Sequence, residues 1–314
     1  MFGLNQVNGR ADKRFVDWLT DGKEYIINQP LESDKFSLYF FEEKHLYKSI
    51  AHDVNRFGSS LFETINDIFY DQRFPQSNAW KCVKAYYAAY YSAHAILRMM
   101  GIMCVNLEKE NLNKVERIAD AYHLKNGINI NSGYYKCFVD KPNLSVVCER
   151  INASGKQKGS HEQLWEVFLE TINTVLASLS LKGNSKSIQD TILILFDLRD
   201  NLTYMGCNGG SWLSKVRNDI NYKHLYGVWY PYNDYETYYS EIENLLKRWK
   251  SDPSEININA HKGKMILRYI STCVFLVSLF KELAIDMASR CPKGHSFLEG
   301  ITLSYFNKSN TIVQ

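Results

Sequence analysis

"AWKCVKAYYAAYYSAHAILRMMG", residues 79–101, is the stretch whose reading decides the fold class. It holds no proline, and its one glycine comes last, where a helix can end in a left-handed conformation. Rich in Ala and Tyr and apolar on most faces, it has the pattern of a central helix with neighbours on several sides. Just upstream, Pro75 and the pair Ser77-Asn78 stop one helix and start this one.

Working outward, the same periodicity recurs along the chain. "EKHLYKSIAHDVNRFGSSLFETINDIFYDQ" carries Leu46, Ile50, Val54, Leu61, Ile65 and Ile68 at helical spacing, with Gly58 as a point where a kink is expected. A shorter helix is predicted in "NLNKVERIADAYHLK", and further helices in "HEQLWEVFLETINTVLASLS", "SIQDTILILFDLRDNLTYM" and "DYETYYSEIENLLKRWK". A long one runs from about Lys264 to Ser289. The loops "LKGNSKS" and "CNGGS" separate these segments, and the tail beyond Cys291, with Pro292 and Gly294, shows no strong pattern.

The character changes between Gly127 and Arg150. "GYYKCFVDKPNLSVVCER" alternates and is rich in Tyr, Val and Phe, with Asp140-Lys141-Pro142-Asn143 between its halves, which reads as a β-hairpin. The expected architecture is therefore all-α: a helical bundle with a small inserted β-hairpin and an N-terminal helical extension. Residues 1–75 would form that extension. Residues 76–290 would form the bundle, with an insertion at about 104–158, and 291–314 the tail. There are no internal repeats.

Composition narrows the function classes. Among 314 residues, 45% are hydrophobic and 23% charged, which excludes a wholly disordered chain. The net charge of +3, from 37 basic and 34 acidic side chains, excludes coating of DNA through a broad cationic surface but leaves room for a local basic site. Seven cysteines form no CxxC pair and are odd in number, so reduced thiols in a cytoplasmic protein are expected. The N-terminus lacks a signal-like apolar stretch. The most apolar segment, Tyr269 to Phe280, is closed by Arg268 and Lys281, too short to span a bilayer, so no membrane association is expected.

Chemistry-bearing residues concentrate in "KVRNDINYKHLYGVWYP", Lys215 to Pro231. Ser211 is placed as the N-cap of a helix carrying Leu213, Val216 and Ile220 and ending near Gly227. On such a helix Arg217 and His224 are separated by about 700° of rotation and roughly 10 Å of rise, so they point the same way to within about 20°. Asn221 lies between them. Two other Arg–His spacings of this kind occur. Arg117 and His123 would diverge by about 120°, and Arg290 and His295 sit in the tail beside Pro and Gly.

"RNDINYKH" resembles the signature of HEPN domains: an Arg, a polar residue, then a His with four to six residues intervening. The helix "KAYYAAYYSAHAILR" is similar to the Tyr- and Ala-rich helix that commonly precedes the signature helix. The resemblance covers chiefly residues 78–101 and 187–289. It implies a helical bundle that dimerises with two signature helices facing across a cleft, and in many members a metal-independent endoribonuclease of toxin–antitoxin or other anti-phage defence systems. "HLY" fits the His-any-Tyr ending of a subset whose partner is a minimal nucleotidyltransferase antitoxin that modifies the Tyr, here Tyr226. That subset usually has four intervening residues, and this chain has six.

Those residue types suit RNA cleavage. An imidazole of ordinary pKa can take the 2′-hydroxyl proton or protonate the leaving 5′-oxygen. An Arg can hold the scissile phosphate by two hydrogen bonds and offset developing charge. Arg217 and His224 are thus the candidate catalytic pair, with Asn218 to orient the Arg or the phosphate and Asn221 equally placed for that task. Lys215 and Lys223 would attract the RNA backbone and hold His224 neutral. The candidate set needs no cofactor and no metal. RNA, a second copy of the chain and an antitoxin or regulatory protein are the implied partners.

The competing reading is a non-catalytic helical module that dimerises or docks a partner such as a nucleotidyltransferase. There Arg217 pairs with Asp197 or Asp200, and His224 caps carbonyls at a helix end. His94 and Arg98 read as a satisfied core pair before a cleft pair. His45 and His52, two turns apart, lack the further ligands of a metal site. Trp229, Tyr230 and Tyr232 read as a packed turn before a base-stacking platform.

Overall fold

The computed structural model describes residues 3–70, 77–151, 158–183, 185–230, 238–261, 263–292 and 294–311. Pro75 and Tyr232 lie outside the described residues. Helix accounts for 61% of the chain, and the elements in order are α1 (Phe15–Asp21), β1 (Tyr25–Ile26), β2 (Lys35–Phe40), α2 (Glu43–Tyr70), α3 (Asn78–Met99), β3 (Ile102–Leu107), α4 (Lys109–Ala121), β4 (Gly133–Asp140), β5 (Ser145–Arg150), α5 (Ser160–Ser180), α6 (Lys186–Leu202), α7 (Trp212–Lys223), α8 (Tyr239–Lys247), α9 (Met265–Ser289) and α10 (Thr302–Thr311).

The chain divides into two units that interleave along the sequence: residues 1–57, 94–163 and 286–304 form one, and residues 58–93, 164–285 and 305–314 the other. The division falls inside α2, α3, α5, α9 and α10, so each of these helices contributes to both.

The first unit corrects the hairpin expectation. The hairpin exists, with β4 and β5 flanking residues 141–144, but it sits in a five-stranded antiparallel sheet of order β1-β2-β5-β4-β3. Two of those strands come from the segment expected to be purely helical. In β2, Phe36, Leu38 and Phe40 are buried and alternate with Lys35, Ser37 and Tyr39, the period of a strand covered on one face. Strand β3 is a short apolar run straight after the αL residue Gly101, and its period alone does not separate strand from helix. Tyr135, Cys137, Val146 and Cys148 fill the covered face, Cys137 directly opposite Cys148, and the Phe36 and Tyr135 rings lie 5.8 Å apart. All seven cysteines are free.

Also in the first unit, His94 is buried. Its ring stacks on Phe57 at 4.5 Å, and its Nδ1 accepts a 3.0 Å hydrogen bond from Arg98, the satisfied core pair expected from their spacing. Arg98 also donates to the Cys104 carbonyl and faces buried Asp53 at 3.6 Å.

The second unit has helices and connecting turns and no strand among its described residues. One aromatic cluster gathers Phe62, Trp249, Phe280 and Phe306, the last on α10, a helix the sequence did not signal. Another gathers Tyr86, Trp165 and Phe168, with Trp165 Nε1 donating to the Tyr86 hydroxyl at 3.1 Å. Helix α2 runs unbroken through Gly58. No helix among the described residues is long and apolar enough to cross a membrane.

Candidate functional site

Helix α7 starts at a close approach. Gly210, at φ 76°, lies where a Cβ would come within 3.0 Å of the Trp165 carbonyl oxygen and of Leu169. A side chain there would meet backbone, so the entry to α7 needs glycine. Ser211 occupies the N-cap position but makes no side-chain capping bond. Trp212, Leu213, Ser214, Val216, Arg217, Asp219 and Ile220 are buried, leaving Lys215 exposed and Asn218 and Asn221 half-buried.

The helix stops at Lys223, short of the expected end near Gly227. His224 adopts the left-handed conformation (φ 52°, ψ 35°), and Tyr226 and Gly227 follow with φ of 69° and 62°. Arg217 and His224 therefore do not share one helical face, and the 20° register does not apply. The reason lies in where the last polar groups of α7 go. The N–H of His224 bonds to the Asp219 carbonyl, which also takes the N–H of Leu225 at 3.2 Å. The Asp219 carboxylate holds Lys223 at 2.6 Å and the Tyr226 hydroxyl at 3.3 Å, and Trp229 Nε1 donates to the Ile220 carbonyl at 2.7 Å. The chain thus folds back around Asp219 in the manner of an αL helix end. Its return to α3 is tied by the Val228 carbonyl, which accepts from the Ala79 N–H and the Ser77 hydroxyl.

Arg217 is 93% buried, since only 7% of its surface is exposed. Its guanidinium carbon lies 5.1 Å from the centre of the Tyr86 ring and 5.6 Å from that of Tyr87. It pairs with neither Asp197 nor Asp200: Asp200 takes both bonds of Arg199, and no ion pair of Arg217 occurs among the described residues. Its Nε–H has no hydrogen-bond acceptor. Burial raises the Tyr86 pKa, partly offset by hydrogen bonds from Trp165, Ser214 and Arg217, so the phenol is a neutral π-face for the cation.

His224 is exposed, its ring 5.1 Å from that of Trp229 and tilted to it by 32°. Trp229 in turn meets exposed Trp80 edge-on at 5.5 Å. Tyr230 is exposed and Tyr226 half-buried, its pKa raised to about 12 by burial and by the Asp219 carboxylate. Lys223 is exposed and engaged with Asp219.

So α7 and its exit turn bring together Arg217, Tyr86 and Tyr87 below the surface, and His224, Trp229 and Trp80 on it. The sequence did not single out Asp219, the anchor of the turn, although its spacing of four from Lys223 is a visible ion-pair signal. Nor did it assign Tyr86 and Tyr87 to Arg217, because that pairing joins residues about 130 positions apart. Elsewhere, His52 Nδ1 is bonded to the Ala11 carbonyl at 2.7 Å and His45 lies 3.7–3.9 Å from Glu24 and Glu42. No cluster of three metal-ligating side chains occurs among the described residues.

Comparison with protein-family models, with curated proteins and with solved structures finds no match to this chain.

Proposed function

We propose that the chain is a HEPN-like endoribonuclease that acts without a metal, with Arg217 and His224 as its catalytic pair. The observation that carries this reading is Arg217 itself. A guanidinium held away from water with no carboxylate partner and an unsatisfied Nε–H is costly for the fold. A phosphate oxygen is the acceptor such a group lacks. His224 supports the reading: a non-glycine residue held at positive φ is strained, and strain of this kind gathers at functional sites.

In the proposed reaction the RNA 2′-oxygen attacks the adjacent phosphorus and its proton passes to one imidazole. The bond to the 5′-oxygen breaks, and that oxygen takes a proton from the imidazolium of a second copy's His224. The products are a 2′,3′-cyclic phosphate and a 5′-hydroxyl. Arg217 meets the phosphate once the Tyr87 ring gives way, and Asn218 or Asn221 orients it. A bacterial defence or toxin–antitoxin role, with a restraining partner protein, follows from the same resemblance.

The test is cleavage of total RNA in the presence of chelator, wild type against His224→Ala, with fragment ends mapped. A single 2′-deoxy substitution at the cut position should block the reaction. One observation favours the second reading, a non-catalytic interaction module: Tyr86 and Tyr87 already cover the guanidinium. Uncut RNA, with cellular toxicity or protection unchanged in both Arg217→Ala and His224→Ala, would establish that module instead.

A further inference from the structure

Trp80 is the exposed end of a row of rings that starts at His224. The His224 ring lies against Trp229 at a 32° tilt, and Trp229 meets Trp80 edge-on, at 77°. An edge-on contact covers at most one face of an indole, and Trp80 is 49% exposed. Trp229 is the fixed middle of the row, half-buried with its Nε1 bonded to the Ile220 carbonyl. The start of α3 is bound to the same turn, since the Ala79 N–H and the Ser77 hydroxyl both reach the Val228 carbonyl. Trp80 is therefore held in a set place relative to the imidazole. Tyr222 and Tyr230, neighbours of His224 and Trp229 in the chain, are 72% and 80% exposed. A single exposed aromatic needs no explanation, but several along one turn mark a binding surface.

The charges of the two helices that carry the row favour a polyanion. Helix α3 contains no Asp or Glu, and α7 contains only Asp219, which is buried and held by Lys223. Lys215 on α7 is exposed and makes no ion pair among the described residues. On α3, Lys81 is paired with Glu243, and Lys84 holds the α2 carboxylate Asp67. Neither α3 nor α7 thus presents an exposed carboxylate to repel a phosphate backbone. Exposed rings in such a setting recognise nucleic acid by stacking on unpaired bases, whose faces helical RNA keeps covered.

We propose that Trp80 is the base-stacking residue of the candidate site, taking an unpaired base close to the phosphate that His224 serves. The substrate class is then single-stranded RNA, and selection among the bases is weak because each has a π-face of its own. Trp80 touches no reacting atom; it holds the strand in register with the imidazole. The proposal rests on the ribonuclease reading for the bond that is cut, while the stacking itself is measured by binding.

The probe is a fluorescently labelled RNA whose sugars are all 2′-O-methyl, which lacks the attacking hydroxyl and so reports binding alone. Anisotropy should show the unpaired strand bound by wild type and weakened about tenfold or more by Trp80→Ala, with Trp80→Phe within about threefold of wild type. A hairpin of the same composition should bind more weakly and be indifferent to Trp80→Ala. On cleavable RNA, an abasic nucleotide at the stacked position and Trp80→Ala should each raise KM about tenfold with kcat little changed, and together no more than either alone. Binding that depends on Trp80 without any cleavage would support the platform and overturn the ribonuclease reading. Cleavage that Trp80→Ala leaves untouched, or abasic and alanine losses that multiply, would overturn the platform and leave the ribonuclease reading standing. A chain that binds neither RNA would overturn the platform too, and its exposed rings would then belong to a protein partner.

Discussion

The Arg217 guanidinium lies over the Tyr86 ring, 5.1 Å from its centre, inside the helical unit and without a carboxylate to neutralise it. A cation–π contact returns about 2 kcal/mol when desolvated, less than burial of a charge costs. The residue is thus held in place by packing from α3 and kept hungry for an acceptor at Nε.

Arg217→Met keeps the length of the side chain and removes the buried charge. Its stability should stay within about 1 kcal/mol of wild type, while RNA cleavage falls by about 100-fold or more. Parallel thermal melts and cleavage assays separate the two. A Met variant that unfolds would make Arg217 a structural residue first.

His224→Gly removes the steric cost of a left-handed side chain and should stabilise the protein by about 1 kcal/mol. It should also abolish cleavage. Denaturant titration checks the first part, and the chelator-resistant assay checks the second. If glycine there leaves cleavage intact, the imidazole has no role.

His94 makes stability depend on pH. Burial first, then the nearby Arg98 and Arg56 cations, hold its pKa well below the ordinary value. Below about pH 6.5 the unfolded chain takes up a proton that the folded chain refuses. Stability is therefore full above that pH and is lost as pH falls toward the folded value. Unfolding free energies from urea titrations at pH 7.5 and 5.5 should differ by about 1 kcal/mol more in wild type than in His94→Asn, whose amide oxygen can still accept from Arg98.

Gly210→Ala should cost about 2 kcal/mol, because the methyl group meets the Trp165 carbonyl oxygen and Leu169 at 3.0 Å and φ is positive. The displaced entry to α7 would move Arg217 with it. A melting temperature equal to wild type would show that the backbone there can shift freely.

The helices were legible because their signal is local. Apolar spacing placed α3, α5, α6 and α9 within a few residues, and the 133–150 alternation placed the β4–β5 hairpin. The alternation in β2 is present in Phe36, Leu38 and Phe40 but spans only six residues, and β3 carries no distinctive period. That these strands join the hairpin in one sheet is a long-range fact, since β2 and β5 are separated by more than 100 residues.

The site divides the same way. Residue type and spacing along the chain were enough to single out Arg217 and His224, because the chemistry of a guanidinium and an imidazole is written in the letters. Their relationship was decided by the folded chain. Helix periodicity holds only while backbone N–H groups find carbonyls four residues back, and at Lys223 the Asp219 carbonyl, the Trp229 indole and the tie to α3 capture those groups instead. A turn closed around Asp219 and Ile220 by residues within ten positions, and tied to α3 through Val228, ended the helix one residue too early for the wheel to hold.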